Sequence, residues 1–162
     1  MNLNPTEPRF GARALGPGLV GSLSLTLMHE GLRRAIKDPP RMDVLGMRAL
    51  KNGSHFLGLR TARGRRLHRQ ALLGDVVANS LFYSLVSLGQ PRRPFLRGAL
   101  LGGLAGVGAV VLPPYLGLGK RPARAQPRTA LLTVAYYTLA GLAAARATRG
   151  MTVRAAARAA AF

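Results

Sequence analysis

Four long apolar runs alternate along the chain with segments that are dense in arginine. Each run approaches the roughly 20 residues that a helix needs to cross the hydrocarbon core of a bilayer. The pattern predicts an all-α, polytopic membrane protein in which residues 1–162 form one membrane domain, a bundle of four transmembrane helices. The predicted spans cover residues 14–32, 71–88, 95–118 and 129–145.

The second run, 71–88, is the least apolar of the four because it contains Asp75, Asn79 and three serines. On an insertion scale its nine Leu, Val and Phe residues contribute about −0.3 to −0.6 kcal/mol each, while a central aspartate costs about +2.5 to +3.5 kcal/mol. The sum is near balance or modestly favourable. We therefore expect this helix to insert with support from its neighbours.

The third run is rich in glycine. Gly98, Gly102 and Gly106 recur at every fourth position, a spacing that is typical of faces where two helix backbones approach closely. We expect these three glycines to mediate helix packing. The pair Pro113-Pro114 should kink or end the helix, since proline lacks the amide hydrogen that a helix interior needs.

Two basic segments flank the spans, a connector over residues 33–70 and a tail over residues 146–162. Part of the connector, 42–59, is too polar to cross a membrane, but it carries an apolar stripe that is typical of a short helix in the membrane interface. Asp43 is suited to cap that helix. A solvated loop is the alternative. The apolar stripe of residues 42–59 consists of Val44, Leu45, Met47 and Leu50. For the tail, an interfacial helix and a disordered segment are both open alternatives.

The charge of the chain is strongly positive, with 24 Lys and Arg against 5 Asp and Glu. Such a balance raises nucleic acid as a partner. Here, however, the basic residues stand at the ends of apolar runs, where anionic lipid headgroups attract them. Few aromatic residues interleave with the arginines, so we predict a lipid bilayer and no nucleic acid; a soluble nucleic-acid-binding protein is the least favoured hypothesis. The predicted headgroup contacts are Arg33, Arg34, Arg63, Arg65, Arg66 and Arg69.

The distribution of Lys and Arg also predicts an orientation. The first and third connectors together carry fifteen, and the opposite set of segments carries nine. This difference places the long connector in the cytoplasm and both termini outside, in a multi-pass protein of the bacterial inner membrane. The first run ends without a small-residue cleavage site, so we expect a retained span rather than a signal peptide.

Several chemistries are excluded. The absence of cysteine removes disulfides, cysteine-ligated metals and thiol nucleophiles. His29, His55 and His68 lack metal-ligand spacing, and no nucleophile, base and acid stand together. The sequence therefore predicts neither a metal, a cofactor nor an enzymatic activity.

One polar cluster is a candidate functional site. His29 and Glu30 lie near the end of the first span, and Asp75 and Asn79 lie near the start of the second, so antiparallel packing would bring all four to one membrane level. An ionisable residue within a membrane is a functional candidate. The alternative is a structural cluster, in which Asp75 and Asn79 fix helix packing and Glu30 pairs with Arg34.

Two short patterns resemble known groups. The segment Gly18-Leu19-Val20-Gly21, followed by Glu30 and by Pro39-Pro40-Arg41, resembles the YagU-like group of small bacterial inner-membrane proteins. The segment Arg41–Met47 is similar to one that follows the first span in other four-span prokaryotic proteins. The resemblance implies a four-helix inner-membrane protein and assigns no catalytic residues.

These observations lead to two functional hypotheses. The first is a small integral membrane protein without enzymatic activity that serves as an accessory, assembly or structural component, as a homo-oligomer or with another membrane protein. The second is a small oligomeric transporter or proton-coupled channel that uses Asp75 and Glu30.

Overall fold

The computed structural model describes residues 8–36, 38–89 and 91–161. All regular secondary structure in these ranges is helical, which confirms the predicted all-α class. The helices are α1 (Pro8–Leu32), α2 (Met42–Phe56), α3 (Gly64–Ser84), α4 (Pro94–Val111), α5 (Arg121–Arg124) and α6 (Pro127–Ala159). Prolines occupy the first position of α1, α4 and α6, where the missing amide hydrogen costs nothing.

The four long helices pack in the order α3, α1, α6, α4. α1 lies between α3 and α6, and α6 packs along α4, whereas α3 and α4 touch at only a few residues. Neighbours run antiparallel. The Ser87 hydroxyl donates to the Ala14 carbonyl, and the Ser22 hydroxyl donates to the Val76 carbonyl, so later residues of α1 meet earlier residues of α3.

The tightest packing is between α4 and α6. Gly98, Gly102 and Gly106 are buried there, and a Cβ atom on any of them would collide with the backbone of α6. At Gly106 that atom would lie 2.7 Å from the Cα of Val134. The four-residue spacing thus places three glycines on one face, where two helix backbones come into direct contact.

The helix ends differ from the predicted span boundaries. α4 ends at Val111 rather than at residue 118, because Pro113 and Pro114 follow directly. α3 begins at Gly64, seven residues before the predicted span, since the preceding basic residues are good helix formers. α6 continues unbroken to Ala159, so the predicted tail is helical from Arg146 to that residue.

α2 forms as a helix, but Asp43 does not cap it. The N-cap position is Arg41, which makes no side-chain capping bond, and Asp43 lies inside the first turn. A carboxylate in that turn is still favourable, because it lies near the positive end of the helix dipole.

Two of the described helices, α4 and α6, are long and apolar enough to cross a membrane. α1 and α3 do not reach the same apolarity within the described residues; both contain serines and an acidic residue, which α4 and α6 lack.

Candidate functional site

The first and third connectors meet at one end of the four long helices. The amide of Arg41 donates to the Pro122 carbonyl over 2.7 Å, and the Thr129 hydroxyl donates to the Asp38 carbonyl over 3.1 Å. α2 packs against the start of α3 and against α5 at this end. The polar cluster predicted from the sequence lies directly beneath these contacts.

An ion-pair network joins α1 to the start of α2. Arg33 contacts the Glu30 carboxylate at 3.0 Å and the Asp43 carboxylate at 3.2 Å, and Arg41 contacts Asp43 at 3.0 Å. Two guanidinium groups thus balance two carboxylates. The partner of Glu30 is Arg33, not Arg34 as the alternative interpretation expected. Arg33, one of the predicted headgroup contacts, is engaged in this network.

Asp43 is the centre of the network, with its side chain only 8% exposed. Burial by itself raises the pKa of Asp43, but the hydrogen bond and charge of Arg41, together with Arg33, outweigh that effect and hold the pKa below its usual value. The same hydrogen bond raises the pKa of Arg41. Both groups are therefore charged across the physiological pH range.

A small cavity of about 20 Å³ lies beside this network, which is room for one water molecule. His29, Glu30 and Asp75 all line it. Asn79 does not line the cavity; its amide donates to the Asp75 carboxylate over 3.0 Å from one turn further along α3. The other lining residues are Thr26, Met42, Asp43, Gly46, His68, Ala71 and Leu72.

Sequence reasoning missed several of these residues. Asp43 was assigned to a helix cap, although the fold of the connector brings it back against α1. His68 was assigned to the basic segment, yet it lies seven residues before Asp75, two helical turns along the same face. That spacing was the available signal, and it was hidden because the helix was expected to begin only at residue 71.

Three buried polar atoms have no hydrogen-bond partner within the described part of the chain: the Tyr136 hydroxyl and, in two residues that line the cavity, the Thr26 hydroxyl and the Nε2 atom of His29. His29 is 9% exposed, and its ring packs edge-on against Tyr136, with 5.3 Å between ring centroids. A buried polar group without a partner costs about 1–3 kcal/mol, so this arrangement is unfavourable for packing alone.

The cluster is a poor metal site. No group of three or more His, Asp or Glu residues with metal-binding geometry occurs among the described residues. Asp75 takes part in none of the ion pairs found in the described part of the chain, and its described hydrogen-bond partner is Asn79. A carboxylate placed in this way, at a cavity that two histidines also line, is suited to bind a proton.

Comparison with protein families, with curated proteins and with solved structures finds no match to this chain. The resemblance to the YagU-like group therefore stays a prediction, and the functional argument rests on the chain's own geometry.

Proposed function

We propose that this chain is a multi-pass protein of the bacterial inner membrane whose helices α1, α3, α4 and α6 each cross the bilayer. We propose further that it acts without catalysis, as an accessory, assembly or structural component. The observation that carries the proposal is the direction of the large apolar side chains, which are exposed on all four long helices.

The exposed residues include leucines and valines of every long helix, such as Leu27, Leu73, Leu104 and Leu131. The interior is built instead from small and hydroxyl-bearing residues, among them Ser22, Thr133, Ala140 and Ala144, with few large side chains. A protein in water has the reverse distribution, since burial of large apolar groups drives its folding. A lipid environment favours the distribution seen here, with large apolar side chains outside and small ones inside, because helices in a bilayer associate through close packing of small residues.

The hydroxyl groups of the interior support the same interpretation. Ser80, Thr133, Thr138 and Thr148 each donate to a carbonyl four residues earlier in the same helix, over 2.7–2.9 Å. Backbone bonding of this kind satisfies a hydroxyl without water, as a bilayer core requires.

The spacing of charged residues matches the thickness of a bilayer. The segment of α6 between Arg128 and Arg146 contains no Lys or Arg and spans about 27 Å at 1.5 Å per residue. The hydrocarbon core is about 30 Å thick. The meeting of the first and third connectors at one end is also what alternating membrane crossings require.

Single cysteines test the proposal sharply, because the chain has none of its own. One pair of variants, Gly53→Cys and Ala125→Cys, reports on the end where the first and third connectors meet. A second pair, Leu88→Cys and Ala160→Cys, reports on the opposite end. Leu104→Cys reports on the surface proposed to face lipid. With both termini outside, an impermeant maleimide labels Leu88→Cys and Ala160→Cys in intact spheroplasts. The first pair should react only after permeabilisation, and Leu104→Cys should resist in both conditions.

Two results would count against this arrangement. Release of the protein from membranes by alkaline carbonate would favour a soluble fold, and labelling of both ends from the same side would contradict four crossings. Labelling of only the first pair in intact spheroplasts would keep the four crossings but reverse the orientation.

The accessory role is supported by the tight interior, since a cavity the size of one water molecule does not form a conduit through a single copy. Gentle solubilisation followed by chemical cross-linking is the direct test. A stable homo-oligomer or a stoichiometric membrane partner is expected, and a persistent monomer would argue against this role.

The alternative is an oligomeric transporter or proton-coupled channel. It is favoured by one observation: Asp75 takes part in none of the described ion pairs and lines the same cavity as His29, whose Nε2 atom has no hydrogen-bond partner within the described residues. Flux measurements in liposomes decide between the two. If Asp75→Asn and Glu30→Gln leave any flux unchanged, the transport hypothesis fails.

A further inference from the structure

A basic cleft lies at the opposite end of the molecule from the polar cluster. It is an open cleft of about 610 Å³ between the connector that precedes α4, the first turn of α4 and α6. Three arginines line it, Arg92 and Arg93 from the connector and Arg149 from α6, and no acidic residue of the described chain does so. We call this feature the arginine cleft; its other lining residues are Pro91, Pro94, Phe95, Leu96 and Thr152.

The arginine cleft is held in shape by the structure around it. Arg97 donates a hydrogen bond to the Leu88 carbonyl and so ties the connector to α4. The next residue, Gly98, lies against Gly141 and Ala145 at the tight α4–α6 contact. Arg149 lies one helical turn after Ala145, so this contact fixes its position relative to α4. Arg149 is distant in sequence from Arg92 and Arg93, and the α4–α6 packing and the Arg97–Leu88 hydrogen bond hold the two sides of the cleft together.

An apolar stripe on α4 begins at the edge of the arginine cleft. Leu96, Leu100 and Leu104 follow at four-residue spacing and are 52%, 57% and 69% exposed. They cover about 12 Å of the helix axis, which fits within the roughly 15 Å depth of hydrocarbon in one leaflet. A positively charged cleft is therefore continuous with a surface that suits a hydrocarbon chain.

We propose that the arginine cleft binds the phosphate headgroup of an anionic phospholipid, one of whose acyl chains lies along Leu96, Leu100 and Leu104. The proposal rests on the membrane crossing of α4 and α6 proposed above. Three guanidinium groups complement a phosphate, which guanidinium binds through paired hydrogen bonds. The adjoining leucines distinguish the ligand from a nucleic acid or a free phosphate, since neither has a part that would cover them.

Native mass spectrometry of the purified full-length protein tests the proposal by counting the lipids that stay bound. The probes are phosphatidylglycerol and phosphatidylcholine, added at equal concentration. We expect phosphatidylglycerol to be retained preferentially. Because one guanidinium in contact with an anionic headgroup contributes about a fivefold preference, Arg149→Gln should lower this preference about fivefold. Arg154→Gln, the same change on the same helix outside the cleft, should leave it unaltered.

Two further comparisons separate a site from general charge attraction. Replacing Lys51, Arg60 and Arg63 by glutamine removes three charges from a cleft at the other end and should change the preference less than replacing Arg92, Arg93 and Arg149. Leu104→Ala should weaken retention, whereas Leu131→Ala, an exposed leucine of α6 outside the stripe, should not.

Four outcomes would overturn the proposal. These are equal retention of the two lipids, equal losses in the two triple variants, equal effects of the two leucine variants, and displacement of the lipid by millimolar inorganic phosphate. Failure of the membrane crossing itself is distinguishable, because carbonate would then release the protein from membranes before any lipid comparison.

Discussion

Asp43 illustrates how a single residue connects distant parts of the chain. Its carboxylate is largely buried and receives hydrogen bonds from Arg33, at the end of α1, and from Arg41, which precedes α2. It therefore fixes the path of the first connector above the cavity. Because charge-assisted hydrogen bonds from both arginines converge on Asp43, the network should be sensitive to this residue.

Replacement of this carboxylate should weaken the fold in a pH-dependent manner. Asp43→Asn should lower the free energy of unfolding by about 1–3 kcal/mol at pH 6, the range for hydrogen bonds to charged groups. The folded pKa of Asp43 lies below its unfolded value of about 3.9, so the stabilisation is complete above that pH and is lost as the pH falls below it. Thermal unfolding in detergent should show a clear difference between variant and parent at pH 6 that narrows near pH 3.

Asp38→Asn is the matched control for that series, since Asp38 is exposed and its carboxylate accepts a hydrogen bond from the Gln126 amide. It removes the same charge and should have a much smaller effect. A pH-independent loss in Asp43→Asn would contradict the electrostatic explanation.

His29 offers a way to separate stability from function at the cavity. Because Nε2 has no partner in the described chain, His29→Phe removes an unsatisfied polar atom while it preserves a ring against Tyr136. We expect its stability to equal or exceed that of the parent, whereas His29→Ala should lose about 2–4 kcal/mol through the space it leaves. Unfolding in detergent measures both. A strongly destabilised His29→Phe would instead indicate that the imidazole makes a structural hydrogen bond.

At the scale of helices, the α4–α6 contact depends on which glycines face the partner. Gly102 lies against the Tyr137 backbone, while its neighbour Gly103 points to a more open region, where a Cβ atom would be 3.8 Å from the Thr138 hydroxyl. The two positions provide a comparison within one helix turn. Contact with a backbone is the more severe obstacle, because a backbone does not adopt another rotamer.

Gly102→Ala should therefore force α4 and α6 apart and destabilise the protein by at least 2 kcal/mol, roughly the cost of overpacking a core. Gly103→Ala should be neutral or stabilising by about 0.5–1 kcal/mol, since alanine is a better helix former than glycine. Gly102→Leu should disturb folding or association still more. Equal unfolding temperatures for Gly102→Ala and Gly103→Ala would show that this contact does not govern the stability of the pair.

Features that depend on a local sequence pattern could be predicted from the sequence, whereas features that depend on contacts between distant residues could not. The spacing of Gly98, Gly102 and Gly106 is local, and Pro113 marks the end of α4 without reference to the rest of the chain. The position of Asp43 at the cavity depends on how the connector folds back onto α1, and no pattern within residues 33–63 records that. α5, a single turn held against α2 and α6, is missing from the prediction for the same reason.

The whole molecule has an uneven distribution of charge that sets its expected orientation. In the sequence, the first and third connectors contain fifteen Lys and Arg residues, and the segments predicted to lie at the opposite end contain nine. The acidic residues of the described part of the chain lie at or near the end where these two connectors meet; they are Glu30, Asp38, Asp43 and Asp75. Acidic residues contribute little to topology, so the count of basic residues is the relevant quantity.

That count can be changed without affecting the described ion pairs. Replacing Arg60, Arg63, Arg65, Arg66 and Arg69 by glutamine leaves ten basic residues in the first and third connectors against nine in the opposite segments. Because orientation follows this difference, we expect a mixture of two orientations, and part of the Gly53→Cys population should then react with impermeant maleimide in intact spheroplasts. The same five positions changed to lysine keep the charge and should keep the connector protected. If the glutamine variant stays fully protected, the orientation is fixed by something other than the basic count, and the packing of α2 and α5 over the end of α1 is the feature to test next.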